Sequence, residues 1–490
     1  MKENTLKLNF AAYKDRVYAC FIGKNIGGTI GGPYECTHDI LDVKGFTTAP
    51  GTPLPNDDLD LQLVWLHAVE KLGINAINAT TLGEFWLSFI TPHWNEYGIG
   101  KVNMKRGLIP PLAGDYENTW KNSNGAWIRT EIWACLFPGC PNEAARLATE
   151  DAKVDHGCGE GTFAAAFVAA MQAAAFVIPD LRTCIRIGLA EIPADCRMAD
   201  SIRLALDCYD KGIPAMDARN IIQQRNADIG NGWFEAPSNV AYAVLGLLYG
   251  EGDFKQSMLI AVNCGDDTDC TAATVGATMG ILGGIAGIPT DWQSYIGDDI
   301  VTISINRGDV CRKLPFTCTE LCERIAKQAP HALFARSSHI ALTGGADDIP
   351  ADVAEKLLAA CDSHIAEVQP QSMHFDFTFM SVDAALSDTP DIAPGEARSV
   401  TLKFTNNWRV FDKCQYNLTL RWWLPEGFTV EGGKQCVMLP RMDPHYPDAC
   451  CSTGFTLRAG ETVNAHNRCV LEIVAEGRIT PMYIPIVLLG

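Results

Sequence analysis

Two short stretches concentrate carboxylates where helices are due to begin. "PNDDLDLQ" sets Asn56, Asp57 and Asp58 ahead of a run with apolar residues on one face, and "NCGDDTDCTAATVG" puts Asp266, Asp267 and Asp269 ahead of a long uncharged run. Acids at a helix start have an ordinary role, since they accept hydrogen bonds from free N–H groups and suit the positive end of the macrodipole. Two such groups about 200 residues apart also fit a second role, because a hard divalent cation takes several oxygen ligands from separate elements. Paired cations about 3.5–4 Å apart would let both clusters share one site, where they orient hydroxyls and acidify a bound water. Spacing leaves capping and metal binding both open. Three acids leaving one turn cannot all face one ion, so Asp266 is expected to point away.

The elements that must carry these acids can be read from periodicity. "LDLQLVWLHAVEKLG" repeats Leu59, Leu63, Leu66, Val69 and Leu72 on one face and stops at Gly73, which predicts a helix over 59–73. "TAATVGATMGILGGIAGIP" predicts a buried helix over 271–289, and its Gly276, Gly280 and Gly284 offer another helix a smooth face. That run is Gly- and Ala-rich rather than Leu-rich, and "FAAAFVAAMQAAAFVI" (163–178) is short and carries Gln172, so both read as buried helices and not membrane spans. From about Ala12 to Ile325 the pattern stays helical. A further helix is expected over 350–368, and beyond about residue 372 alternating runs such as "SVTLKFTNN", "YNLTLRWWL" and "MYIPIVLLG" predict six to eight strands of a β-sandwich. The expected division is an all-α domain over 1–330, a connecting segment with a helix over 331–371, and a β-sandwich over 372–490.

Composition narrows the class. At 490 residues the chain exceeds a single core, and with 47% hydrophobic residues it can bury a large one. A net charge of −19 repels nucleic acid and anionic membrane surfaces, so neither is an expected partner. The 19 cysteines are scattered without zinc spacing, which suits buried, reduced thiols. The first twenty residues contain no apolar signal core, and cytoplasmic residence is expected.

Five stretches in order, "GKNIGGTIGGPYE" (23–35), "NDDLDLQ" (56–62), "SNGAWIR" (123–129), "DAKVDHG" (151–157) and "NCGDDTDCTAATVGATMGILGGIAGIP" (263–289), resemble the ADP-ribosylglycohydrolase family, which includes the dinitrogenase-reductase-activating glycohydrolases. The resemblance implies an all-α orthogonal helical bundle with two magnesium ions that cleaves ADP-ribose from a protein side chain or small acceptor. It makes Asp57, Asp58, Asp267 and Asp269 metal ligands, with Asn56 and Cys270 at ligand positions where the family usually has Thr. An amide oxygen can still serve at Asn56, but a thiol at Cys270 is a poor partner for magnesium, which brings in manganese as an alternative. Gly28 stands where an Asp is usual.

By the same resemblance, Glu35 ends the first motif, and Glu35 or Asp58 is the candidate catalytic base that takes a proton from the attacking water. Ser123, Asn124, Gly125 and Ala126 form the loop facing phosphate and ribose, His156 is the middle histidine of the site, and Trp233 and Phe234 of "GWFEAPSN" are placed to stack on a base. The partner implied is an ADP-ribosylated or otherwise glycosylated substrate. A glycosidase or nucleoside-type hydrolase acting on another substrate, and a catalytically inactive binding protein, are the alternatives. The C-terminal part is similar to immunoglobulin-like modules found beside carbohydrate-active enzymes, with glycan binding, covering of the site and homo-oligomer formation as its candidate roles.

Overall fold

Helix Phe10–Gly31 and helix Thr268–Gly283 lie against each other with almost no side chain between them. A Cβ on Gly23 would fall 2.1 Å from the Gly276 carbonyl oxygen, and one on Gly276 would fall 2.2 Å from that of Gly23. The smooth face expected at Gly276 and Gly280 therefore meets helix backbone directly, Gly276 against Gly23 of the "GKNIGGTIGG" stretch and Gly280 against Ala19 and Cys20 just before it; Gly284 instead ends its helix at φ 62°. Backbone approach of this kind fixes both helices along their length.

The computed structural model describes residues 6–307, 314–337, 339–407, 415–441 and 449–490. It divides into two compact units, Met1–Gly100 with Glu117–Val368, and Lys101–Tyr116 with Gln369–Gly490. The first unit is helical apart from β1 (Leu6–Asn9), which pairs in parallel with β2 (Ile340–Thr343), and a few isolated bridges. The three long helices read from periodicity are Asp57–Leu72, Glu160–Ala175 and Thr268–Gly283. The helix expected over 350–368 is shorter, Val353–Ala360, because Cys361 leaves in an extended conformation and Asp362 turns the chain by accepting from the His364 amide at 3.0 Å. Among the described residues no helix is long and apolar enough to cross a membrane, and every described cysteine is a free thiol.

The second unit holds β3 (Ser372–Phe377), β4 (Met380–Leu386), β5 (Ala397–Asn406), β6 (Tyr416–Trp423), β7 (Thr429–Gly432), β8 (Cys436–Leu439), β9 (Cys450–Arg458), β10 (His466–Ala475) and β11 (Met482–Leu489). They form two antiparallel sheets in the orders β3-β4-β5-β9-β7 and β11-β10-β6-β8. Alternation puts Val400, Leu402 and Phe404 of one sheet and Leu418, Leu471 and Ile473 of the other into a common core. Leu108, Leu112 and Tyr116 join that core from far upstream. Asn103 folds their segment on itself by donating Nδ2 to the carbonyls of Ala113 (2.9 Å) and Tyr116 (2.7 Å).

Candidate functional site

Local backbone chemistry places the acids. Asn56 caps helix Asp57–Leu72, its Oδ1 accepting from the Asp58 amide at 2.7 Å, so Asp57 and Asp58 enter the first turn in fixed directions. At the other cluster Asp266 adopts φ 69°, and its backbone bonds to the 36–37 loop, accepting from Cys36 N at 3.1 Å and donating to Thr37 O at 2.7 Å. This left-handed turn sends the Asp266 carboxylate away from its neighbours, as three successive acids require. It accepts from the Phe234 amide (3.1 Å) and Asn239 Nδ2 (2.9 Å) and meets His38 Nδ1 at 3.0 Å.

Asp267 and Asp269 turn the opposite way. One ligand atom from each of Glu35, Asp267 and Asp269 lies within 4.8 Å of the others, and the same holds for Asp58, Asp269 and Cys270. Asp269 thus joins both groups, and the two helix starts converge. Lys24 Nζ stands 3.5 Å from Asp58 Oδ2, but it is also shared with Glu131 at 3.1 Å. Among the described residues, Asp58 Oδ2, Asp267 Oδ1 and Asp269 Oδ1 are buried without a hydrogen-bond partner. Burial, and then the facing acids, raise the carboxyl of Asp267 well above its usual range and that of Glu35 to about 8; Asp57 is pushed up to about 6 by burial and Asp269. Asp58 and Asp269 are raised too, first by burial. Hard oxygen donors left unpaired and mutually repelling are what a divalent cation neutralises, so the residues present fit one.

Glu35, Asp57, Asp267 and Asp269 line a cleft of about 730 Å³ together with the Ser123–Gly125 loop, Trp94, Glu96 and Trp233. Asn124 is locked in orientation, because its Oδ1 accepts from Trp127 Nε1 at 3.0 Å while its Nδ2 donates to Asp267 Oδ2 at 2.6 Å. The half-exposed Trp233 packs beside Phe234, His38 and Trp120, with ring centres 5.0, 5.1 and 5.8 Å away and the rings inclined to it by 56°, 50° and 79°.

The profile of the family described as ADP-ribosylglycohydrolase matches residues 9–330. The chain belongs to the ADP-ribosylglycohydrolase family. A curated relative, ADP-ribosylarginine hydrolase Tri1 of Pseudomonas putida (strain GB-1), is 28% identical over 110 residues, which is 20% of this chain and 30% of that protein. The chain therefore aligns with about a third of that relative's length. A solved structure described as an ADP-ribosylglycohydrolase-related protein complex covers 67% of this chain and 100% of its own at 21% identity, with a TM-score of 0.41. A FixG-related protein from Vibrio parahaemolyticus covers 23% of this chain and 94% of its own at 14% identity, with a TM-score of 0.18. The family profile carries the assignment.

Set against the family motifs, the structure brings Glu35, Asp57, Asp267, Asp269, Cys270, Ser123, Asn124 and Gly125 onto one cleft. Asp58 lies just beneath, where Cys270 Sγ donates to its Oδ1 at 3.4 Å. Three expected site residues sit elsewhere. Asn56 commits its Oδ1 to the helix cap, and its amide occupies the space over Gly28, where a Cβ would fall 1.9 Å from Nδ2. A side chain at position 28 would therefore collide with the Asn56 amide. Ala126 is buried beyond the loop, and His156 is fully buried behind Ser123.

Sequence reasoning missed several groups. Lys24 was signalled only by being a cation in a Gly-rich apolar helix. Tyr97, whose hydroxyl donates to Asp57 Oδ2 at 2.9 Å, had no motif to mark it. Asp60 holds the cleft-lining Ile303 by accepting from its amide at 2.7 Å and from that of Ser304 at 2.6 Å.

Proposed function

We propose that the protein hydrolyses a ribosyl glycosidic bond, releasing ADP-ribose from a protein side chain or small acceptor, with magnesium or manganese held by Asp57, Asp58, Asp267 and Asp269 at up to two positions. The observation that carries this reading is the set of unpaired acids converging on one cleft in a member of this family. When bound, a divalent cation supplies orientation of ribose hydroxyls and an acidified water. Of the two candidate bases, Glu35 is favoured. It lines the cleft, whereas Asp58 is fully buried and paired with Lys24.

Cleavage passes through an oxocarbenium-like state that builds positive charge on the sugar, and the facing carboxylates favour that charge. Asn124, locked between Trp127 and Asp267, presents the Ser123–Gly125 backbone to ribose and phosphate. Trp233 and Phe234 give a base a stacking wall. The division of labour is a catalytic domain over 1–330 and an immunoglobulin-like sandwich over 372–490 as an accessory module, in a cytoplasmic protein with room for homo-oligomer formation. Net charge of −19 supports substrates other than nucleic acid polymers.

Incubation with arginine- and serine-linked ADP-ribosyl peptides, with magnesium or with chelator, tests this reading. Metal-dependent release of ADP-ribose is expected. Absence of release together with absence of ADP-ribose binding in calorimetry would sink it, and would favour the glycosidase or inactive-binder reading that Cys270 and Gly28 suggest.

A further inference from the structure

The aromatic side of the cleft is fastened to the turn that leads into Asp267 and Asp269. Stretch 230–234 winds through three left-handed residues, Gly230 at φ 50°, Gly232 at φ 77° and Phe234 at φ 58°. Glycine takes that conformation freely, whereas a bulky aromatic takes it only where its neighbours compel it. The compelling group is the Asp266 carboxylate, whose Oδ2 accepts from the Phe234 amide at 3.1 Å. The same oxygen accepts at 2.9 Å from Asn239 Nδ2 in the first turn of helix Ala236–Tyr249, and Oδ1 meets His38 Nδ1 at 3.0 Å. Asp266 is only 6% exposed, so this carboxylate is no solvated surface acid.

What these bonds position is Trp233. It is 39% exposed, lines the cleft beside Phe234, and rests against His38 and Trp120 at ring-centre distances of 5.1 and 5.8 Å. Its chain neighbour Phe234 and its ring contact His38 are thus both held by Asp266. The buried Arg219 adds a second tie, donating Nε to the Cys264 carbonyl at 2.8 Å and Nη2 to the His38 carbonyl. Ordinary capping does not account for Asp266. Among the described residues its carboxylate bonds reach Phe234, Asn239 and His38, and no amide of helix Thr268–Gly283. Nor does it belong to either group of side chains that could share a cation.

We infer, on the ribosyl-hydrolase reading above, that Asp266 is a positioning residue that holds Trp233 at a set distance from the metal-facing acids, so that one turn fixes the place of the ribosyl bond and the place of the base together. Its backbone and side chain divide the work. The backbone, at φ 69°, turns the chain toward Asp267, while the carboxylate points the other way and fastens the aromatic wall. A ligand that spans the cleft, with ribose at the acids and its base on Trp233, gains most from stacking when the platform is already ordered before it arrives. The strained backbone at Phe234 fits this role, since strain persists only where the surroundings over-determine it.

Asp266→Gly removes the carboxylate and keeps the left-handed turn, because glycine adopts that φ without strain. Calorimetry measures the binding of manganese alone and of ADP-ribose in saturating magnesium. In Asp266→Gly, ADP-ribose is expected to bind about 10-fold more weakly, within the range for losing one stacked base, while manganese affinity stays within about twofold of wild type. Trp233→Ala should show the same loss, and the double variant no more than either single one, because all three lack the same platform. Asp266→Asn should recover most of the affinity, since its amide oxygen still accepts from Phe234 and Asn239 while its N–H turns to His38. A fall in manganese affinity matching the fall for ADP-ribose would make Asp266 a support of the metal turn and overturn the inference. Losses that multiply in the double variant, or an Asp266→Gly protein that binds ADP-ribose as wild type does, would overturn it too, with the ribosyl-hydrolase reading left standing. If wild-type protein binds manganese but no ADP-ribose, that reading fails and this assignment with it.

Discussion

Asp151 and Asp155 share Arg129, whose Nε donates to Asp151 at 3.0 Å and whose two Nη groups grip Asp155, while Trp133 Nε1 completes Asp151 at 3.2 Å. Asp267 and Asp269 lie in the same helical unit and are also buried, yet each keeps an oxygen that nothing among the described residues donates to. The first cluster is closed, its charges answered by residues of the chain. The second is open and gains its balance only from a ligand. A buried charge without a partner costs several kcal/mol, so the open cluster is held in place by the packing around it, chiefly the glycine contact between helices Phe10–Gly31 and Thr268–Gly283.

Removing an acid from the open cluster and the cation from the closed one must therefore have opposite effects on stability. Asp267→Ala is expected to lower turnover by about 1000-fold, the upper range for losing a group that stabilises developing charge, while the chelated protein becomes more resistant to urea. A destabilised Asp267→Ala protein would mean that the open cluster is structural. Arg129→Met leaves Asp151 and Asp155 without their cation and is expected to cost about 3–5 kcal/mol in urea unfolding. Little change there would remove the distinction from the other side.

Ligand effects, and the metal-sensitive part of the pH dependence, should likewise belong to the open cluster. Magnesium or manganese at a hundredfold excess over its Kd is expected to add about 2.7 kcal/mol to wild-type stability and nothing to Asp267→Ala. In chelator, the raised carboxyls of Glu35 (about 8) and Asp57 (about 6) bind more protons folded than unfolded. The sign follows: their contribution is most favourable below about pH 4 and is lost as pH rises to about 8. In the closed cluster Asp155 is held at about 2, but burial raises Asp151 to about 6, so the part of the pH dependence that magnesium removes is what reports on the open cluster. A urea midpoint that falls from pH 5 to pH 8 in chelator, and falls less with saturating magnesium, is the expected result; a rising midpoint in chelator would contradict it.

What the sequence made legible follows the same division. Helices with strong periodicity or glycine spacing were readable to within a few residues, because burial of one face is written locally. The acids at 57–58 and 267–269 were readable because helix starts are marked by their caps. Their convergence was not legible from spacing and came only through the family resemblance, since it depends on remote contacts such as Gly28 against Asn56 and Gly31 against Asp269. Glu96 and Tyr97 were invisible, as one turn of a weakly patterned helix says nothing about a cleft formed by remote loops. The part played by Leu108, Leu112 and Tyr116 in the core of the second unit was hidden for a related reason. A short apolar segment does not state which core it enters.

The smallest expected effect is at Cys270, the one soft donor in the open cluster. The thiol is buried, its Sγ donates to Asp58 Oδ1 at 3.4 Å, and burial and then Asp267 and Asp269 keep it protonated, well above its usual pKa. A neutral thiol offers a hard cation a weak, soft donor, and its bond to Asp58 occupies an oxygen that a cation would otherwise attract. Cys270→Thr exchanges that sulfur for a hydroxyl oxygen of similar reach. A gain of about 1 kcal/mol corresponds to magnesium binding tightened about fivefold, read by calorimetry. The preference for manganese over magnesium should narrow in parallel, because the softer site has been removed. Unchanged affinity for both ions would place residue 270 outside the coordination shell and leave the four aspartates to hold the cation without it.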